Sequence, residues 1–366
     1  GESPTYRLGD GSISATLPFN LHHPLKTPIS YQFIKGSILL PDAGLWLDAH
    51  RGQGISFVSH AHADHVAGHQ RMVCSKATAF LLKERFGFKG EMTALEWDEP
   101  WEHAGHRIVL TPAGHVLGSA QVRVEHRGEV WVASGDYFVS GVGDQNPTCA
   151  PFEPVRCDTF ITECTFGLPI YRWVPQVELM AEIGAWWAEC AAEGYHALLM
   201  GYSLGKAQHL LAGLATLDAP GPVLVHAAVA RLNEAYRDGG VTLPRATTVT
   251  ADTDFKQLRG ALVIAPPAVQ GSAWARKLGP HRDAFASGWM QVRGTRRRRG
   301  VDRGFALSDH ADWNGLQKAI LATGAEKVFV THGSVDVMVR WLGERGLDAR
   351  SFKTEYGDEE LEVSAT

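Results

Sequence analysis

Cysteine is scarce in this chain, and its pattern excludes two common scaffolds. There are five cysteines, an odd number, and none is spaced as CxxC. Neither a disulfide framework nor a zinc ribbon is expected from that set. Cys164, beside Glu163, reads as a buried thiol acting as a small hydrophobe. No apolar run approaches the roughly 18 residues a membrane span needs. The N-terminus lacks a basic-then-apolar signal pattern, so a cytoplasmic protein with no membrane partner is expected. Net positive charge is also missing: the formal charge is −5, which taken alone argues against nucleic-acid binding. Walker spacing is absent too. The run Gly201-Tyr202-Ser203-Leu204-Gly205-Lys206 resembles a phosphate loop in outline, but Ala207 follows the lysine where Ser or Thr is required. An ATP site is therefore not expected, although Lys206 at a helix start could meet a nucleic-acid phosphate.

What is present begins with ordinary globular composition. The chain has 366 residues, with 45% hydrophobic and 20% charged, enough for about two domains on a ~150-residue prior. The charge is unevenly spread. From Arg276 to Arg303 there are nine Lys or Arg against two acids, a window of +7, which leaves the remainder at −12. A polyanion would meet that face and not the whole surface. Arg296, Arg297, Arg298 and Arg299 are its centre, read either as phosphate contacts or as a solvated loop.

The strongest signal is Ser59-His60-Ala61-His62-Ala63-Asp64-His65, directly after the apolar strand Ile55–Val58. Neutral imidazole nitrogen and carboxylate oxygen suit zinc and related divalent ions. His60 and His62 alternate on an extended segment and so face the same side. Asp64 and His65 follow where the chain turns and can reach a second ion. The same grammar recurs: a short strand, then a His, Asp or Glu at its tip. Asp48, His115, Asp136, Glu163, His310 and His332 all follow it, several beside glycines that let the backbone approach closely. Strand tips along one sheet edge form one site. His69, His103, His106, His126, His209 and His281 fall outside the pattern and read as surface or satisfied residues.

Residues 1–30, including His22 and His23, read as an irregular arm. From about residue 177 the texture changes to alternating strands and helices, a parallel α/β layer. After the basic window, strand-tip residues return, ending in a strand Ala349–Thr354. An α/β segment is thus expected to interrupt one metal-binding sheet. Most of the eleven tryptophans read as packing residues.

The run His60-x-His62-x-Asp64-His65, with His115 and Asp136 downstream, resembles the metallo-β-lactamase fold. Glu163, Ser308-Asp309-His310 and Thr331-His332-Gly333 are similar to the motifs of its β-CASP nuclease branch. Within that branch the chain looks most like bacterial ligase-associated DNA exonucleases, relatives of the Artemis-type DNA nucleases. The resemblance implies an α/β chain: an αββα sandwich formed by residues 1–170 and 301–366, with a β-CASP domain at 171–300. It implies that His60, His62 and His115 hold one metal, that Asp64, His65 and His332 hold another, and that Asp136 bridges them. The ions would be zinc, with manganese or iron as alternatives. Glu163 would orient His310 as general acid, and Asp48 would support a ligand imidazole from behind.

The implied chemistry is phosphodiester hydrolysis at DNA ends by a hydroxide activated between two metals, in DNA repair with a ligase and a helicase. Lys206, Arg296–Arg299 and Ser334 are the candidate nucleic-acid contacts. His332 at the last ligand position is the choice of RNA-acting members, so an RNA-processing nuclease stays open beside the DNA enzyme. A small-molecule hydrolase on the same fold is the third reading.

Overall fold

A computed structural model describes residues 26–141 and 146–352. Most of the expected N-terminal arm, with His22 and His23, lies outside the described residues, as does the end of the expected strand Ala349–Thr354. The described chain forms a mixed α/β structure with three sheets. None of its described helices is long and apolar enough to cross a membrane.

The first sheet takes its six strands in chain order: Gln32–Ile34, Ser37–Leu40, Leu45–Leu47, Ile55–Phe57, Arg71–Ser75 and Glu91–Leu95. The second has seven, ordered Asp348–Ser351, Lys327–Thr331, Thr159–Glu163, Glu129–Ala133, Ala120–His126, His106–Pro112 and Trp101–His103. One apolar core joins these two sheets. Leu45, Phe57 and Val73 come from the first, and Leu110, Val122, Trp131, Ile161 and Phe329 from the second. Side chains alternate along a strand. Phe160, Val328 and Val330 accordingly face the opposite way, against Leu316, Ile320, Met338 and Leu342. Those four lie on the helices Trp313–Thr323 and Val335–Gly343. The first of these helices starts where Asp312 accepts the Gly315 amide at 2.7 Å, an N-cap written in the sequence.

The third sheet is wholly parallel, ordered Thr247–Thr248, Val223–Val225, Leu262–Ala265, His196–Met200, His281–Ala286 and Arg303–Phe305. Its strand His196–Met200 is buried throughout, as expected of a parallel strand covered on both faces. The chain leaves the second sheet after Glu163 and returns at Lys327, where Thr331 pairs opposite Glu163. The third sheet is thus built between two neighbouring strands of the second. It reaches beyond residue 300, because Arg303–Phe305 pairs in parallel with Ala284–Ala286.

The basic window is more ordered than a solvated loop. It contains the strand His281–Ala286 and the helix Arg293–Arg299. The helix Lys76–Phe86 links the two parts of the molecule. Its Leu81 and Leu82 share one core with Leu232 and Tyr236 of the segment that carries the third sheet.

Candidate metal centre

The strand Ile55–Phe57 delivers Ser59 and His60 to the end of the first sheet, and Glu129–Ala133 delivers Asp136 beside them. Gly135 makes that approach possible. It has φ +57°, and a Cβ there would stand 2.5 Å from the Ser59 Cβ. Three imidazoles then converge. His60 Nε2 lies 2.9 Å from His62 Nδ1, and His115 Nε2 lies 3.1 Å from the same atom. Asp136 Oδ2 is 3.6 Å from His60 Nε2 and 3.9 Å from His115 Nε2.

The other nitrogen of each ring is already occupied. His62 Nε2 donates to the Leu204 carbonyl at 3.2 Å, and His115 Nδ1 donates to the Asp309 carbonyl at 2.9 Å. His60 Nδ1 meets the Ser59 hydroxyl at 3.0 Å. A neutral imidazole has a single N–H. With that proton spent outward, His62 and His115 turn bare lone pairs toward the same point, where His60 and a carboxylate also face. Burial pushes His62 and His115 down to about 4 and His60 well below the ordinary imidazole value, so the rings stay neutral. Acceptors facing acceptors need a cation between them, and three imidazoles with one carboxylate fit a divalent ion of the zinc type.

Beside Asp136 lie residues of the expected second ligand set. His65 Nε2 is 3.3 Å from Asp136 Oδ2 and 3.6 Å from Asp64 Oδ2. Asp48 stands behind it, with Oδ2 at 3.2 Å from His65 Nδ1, while its Oδ1 accepts the Ser59 amide at 2.7 Å. The His332 ring stacks on His65 at 6.2 Å between centroids, and its Nδ1 meets Thr331 Oγ1 at 3.0 Å. Among the described residues, the tight donor groups are His60, His62, His115 and Asp136, and separately Asp136, Glu163 and His310. Asp64, His65 and His332 belong to neither. Asp64 Oδ1 is nonetheless buried with no hydrogen-bond partner, an orphaned carboxylate oxygen that a cation would satisfy.

Charge follows the same logic. Burial lowers the affinity of His65 for a proton, but Asp136, Asp64 and Asp48 outweigh it and hold its pKa well above the ordinary value. Burial would raise the carboxyls of Asp136 and Asp64, yet His65 overrides it and holds both below their usual range. Asp48 and His332 also have positive φ, +41° and +56°. Non-glycine residues rarely adopt such values, and they cluster at functional sites.

Glu163 and His310 form the next part of the site. His310 Nδ1 is 2.8 Å from Glu163 Oε1, which also accepts the Tyr137 amide at 2.9 Å. Trp173 Nε1 donates to the His310 carbonyl at 2.9 Å. Phe166 packs 5.9 Å from the His310 ring and 4.8 Å from the Trp289 ring. A pocket beside the site is lined by Ser37, Asp48, His50, His65, Asp136 and His332 among others.

The candidate nucleic-acid contacts are placed unevenly. Lys206 is not at the surface: it is 2% exposed, with Nζ 2.7 Å from Asp309 Oδ2. A phosphate contact is replaced by a buried ion pair, because the Gly201–Gly205 loop turns the lysine inward. Arg296, Arg297 and Arg298 are exposed, whereas Arg299 stacks 4.2 Å from the centroid of Phe285. Ser334 is half-buried, at the start of the helix Val335–Gly343.

Sequence reasoning missed His50, whose Nδ1 meets the Asp64 carbonyl at 3.0 Å, and gave the buried Asp309 no role of its own. His50 follows Asp48 by two positions, which was the available signal. For Asp309 the signal was its place between Ser308 and His310.

No family model matches the chain. It is 35% identical over 325 residues to a probable DNA ligase of Opitutus terrae, covering 88% of this chain and 31% of that protein. It is 30% identical over 125 residues to cleavage and polyadenylation specificity factor subunit 3 of Dictyostelium discoideum, covering 34% of this chain and 16% of that one. It is also 30% identical over 122 residues to endoribonuclease YSH1 of Gibberella zeae, covering 33% and 14%. The chain thus spans about a third or less of the length of these curated relatives. A solved protein of unknown function from Enterococcus faecalis V583 shares the fold at a TM-score of 0.52 and 14% identity, over 75% of this chain and 74% of that one.

Proposed function

We propose that the protein is a metal-dependent DNA exonuclease, a phosphodiesterase acting at DNA ends in repair, alongside a ligase and a helicase in the cytoplasm. The observation that carries this is the junction of two groups at Asp136. On one side His60, His62 and His115 offer lone pairs to a cation; on the other stands the buried Glu163–His310 pair. In this reading the first two sheets and their helices are the αββα sandwich, and the third sheet is the centre of the β-CASP roof. The likeness to a probable DNA ligase over 88% of the chain favours DNA as substrate.

His60, His62, His115 and Asp136 would hold one ion, preferably zinc. Asp64, His65 and His332 would hold a second, with Asp136 shared. When bound, the ions supply Lewis-acid stabilisation of the phosphoryl oxygens and a nucleophile at neutral pH. The chain does the rest. His310, fixed through Nδ1, protonates the departing oxygen through its other nitrogen, and Glu163 stabilises the charge the ring carries. The exposed arginines beyond Trp289 contact the phosphates of the strand.

A second reading rests on His332 and on the two relatives named for RNA processing: the same chemistry on RNA. The deciding experiment gives the full chain labelled single-stranded DNA and RNA of matched sequence, with Mn²⁺ or Zn²⁺. Mononucleotides from DNA, abolished by chelation and by Asp64→Ala, are expected. Degradation of RNA alone overturns the DNA assignment, and discrete internal fragments would make the enzyme an endonuclease.

A further inference from the structure

The Gly201–Lys206 loop looks like a phosphate loop but binds no phosphate in the proposed function. Its actual contacts are with the metal centre. It follows the strand His196–Met200 of the third sheet and opens the helix Lys206–Leu214. Its Leu204 carbonyl takes the outward proton of His62 at 3.2 Å. Gly205 has φ +86°, and a Cβ there would stand 2.3 Å from Val116 Cγ1, next to His115. Only glycine lets the loop lie so close to the ligand-bearing turn. Lys206 and His209 then converge on one carboxylate: Lys206 Nζ on Asp309 Oδ2 at 2.7 Å, and His209 Nδ1 on Asp309 Oδ1 at 2.9 Å. His209 Nε2 is itself fixed by Gln176 Oε1 at 2.6 Å. Lys206, His209, Asp309 and Gln176 are all buried.

We infer that Lys206 and Asp309 are positioning residues, through which the inserted segment sets the geometry of the metal ligands. Asp309 has three connections. Its side chain is clamped by the helix Lys206–Leu214, its carbonyl orients His115 at 2.9 Å, and the next residue is His310. Partners that fix the outer nitrogen of a ligand histidine set its tautomer and ring orientation, and their loss costs about 10–100-fold in metal affinity. The inserted segment provides such a partner to His62 directly and to His115 through Asp309. The roof and the metal centre are therefore one structural unit, and the metal site is incomplete until the segment docks.

The inference rests on the reading of His60, His62, His115 and Asp136 as metal ligands. Its test is Co²⁺ binding to the full chain, followed by competition with a chelator and by the visible ligand-field spectrum. Lys206→Met is expected to weaken Co²⁺ about 10–100-fold and to shift the spectrum, with Lys206→Arg recovering most of the loss. Lys206→Met leaves a buried carboxylate unpaired, so a double variant, Lys206→Met with Asp309→Leu, is made as well. Replacing both partners of a buried pair by apolar residues is often neutral or stabilising, whereas removing one leaves an uncompensated charge. The double variant should therefore melt above Lys206→Met, short of the wild type because His209 Nδ1 loses its partner, yet still bind Co²⁺ weakly. Wild-type affinity and spectrum in either variant would overturn the inference while leaving the metal site intact. Failure of the wild type to bind Co²⁺ would overturn the ligand reading itself, and the inference with it.

Discussion

His310 Nδ1 lies 2.8 Å from Glu163 Oε1, although 147 positions separate the two residues in sequence. The imidazole is thereby held in one orientation and one tautomer. His310→Ala should lower turnover about 10²–10⁴-fold, the range for loss of a positioned general acid. KM and metal content should stay near wild type. Glu163→Gln, which keeps an acceptor for Nδ1 but removes the charge, should lose less. Elemental analysis of His310→Ala is the decisive measurement. Because Asp136, Glu163 and His310 form a donor group of their own, loss of a metal equivalent would make His310 a ligand instead.

The metal-free protein should be most stable near the ordinary imidazole pKa of about 6.5. His62 and His115 are held down to about 4 by burial. Between that value and 6.5 the unfolded chain binds more protons than the folded one, so stability falls as pH drops through this window. Asp136 and Asp64, held low chiefly by His65 against their burial, add a further loss at lower pH. His65 acts in the opposite sense. Its folded pKa is raised, so its contribution is complete below about 6.5 and is lost as pH rises through the raised value. Thermal unfolding of chelator-treated protein across this range should trace a maximum. Added Zn²⁺ should raise the melting temperature more at pH 8 than at pH 5, because the proton that His65 holds at the lower pH must leave before that ring can bind a cation. A melting temperature that is flat from pH 4 to 6.5 would mean that the buried rings do not control stability.

The donors that could be read from the sequence are those encoded locally. His60, His62, His115 and Asp136 stand just beyond strands whose apolar runs are short and unambiguous, and the structure brings them to one point. The interruption of the second sheet was legible from the change in texture after Glu163. What escaped was pairing at long range. Lys206 reads as an exposed helix-start lysine because its partner, Asp309, lies on a different element, and no local periodicity links them. The strand His281–Ala286 was hidden inside the basic window: its first half is charged and only Ala284–Ala286 is buried. The helix Arg293–Arg299 carries five arginines and no buried side chain, so it gave no amphipathic signal.

That helix yields the last prediction. It lies next to the turn Gly288–Gln291, whose Trp289 packs on Phe166, and Phe166 in turn lies 5.9 Å from the His310 ring. The helix that carries the exposed Arg297 and Arg298 thus follows a turn that packs toward His310 through Trp289 and Phe166. Arg299 differs, because its guanidinium stacks 4.2 Å from the Phe285 centroid. Neutralising Arg297 and Arg298 together by alanine should raise KM for single-stranded DNA and leave kcat nearly unchanged. The slope of log affinity against log salt should shrink by about 0.7 for each phosphate no longer neutralised, roughly 1.4 in total. Arg299→Ala should instead act on stability, by about 0.5–2 kcal/mol for a half-buried cation–π contact. Binding isotherms at several salt concentrations check the first claim, and thermal unfolding of Arg299→Ala checks the second. An unchanged salt slope in the double variant would place the arginine helix outside the path of the nucleic acid, while leaving the Glu163–His310 chemistry untouched.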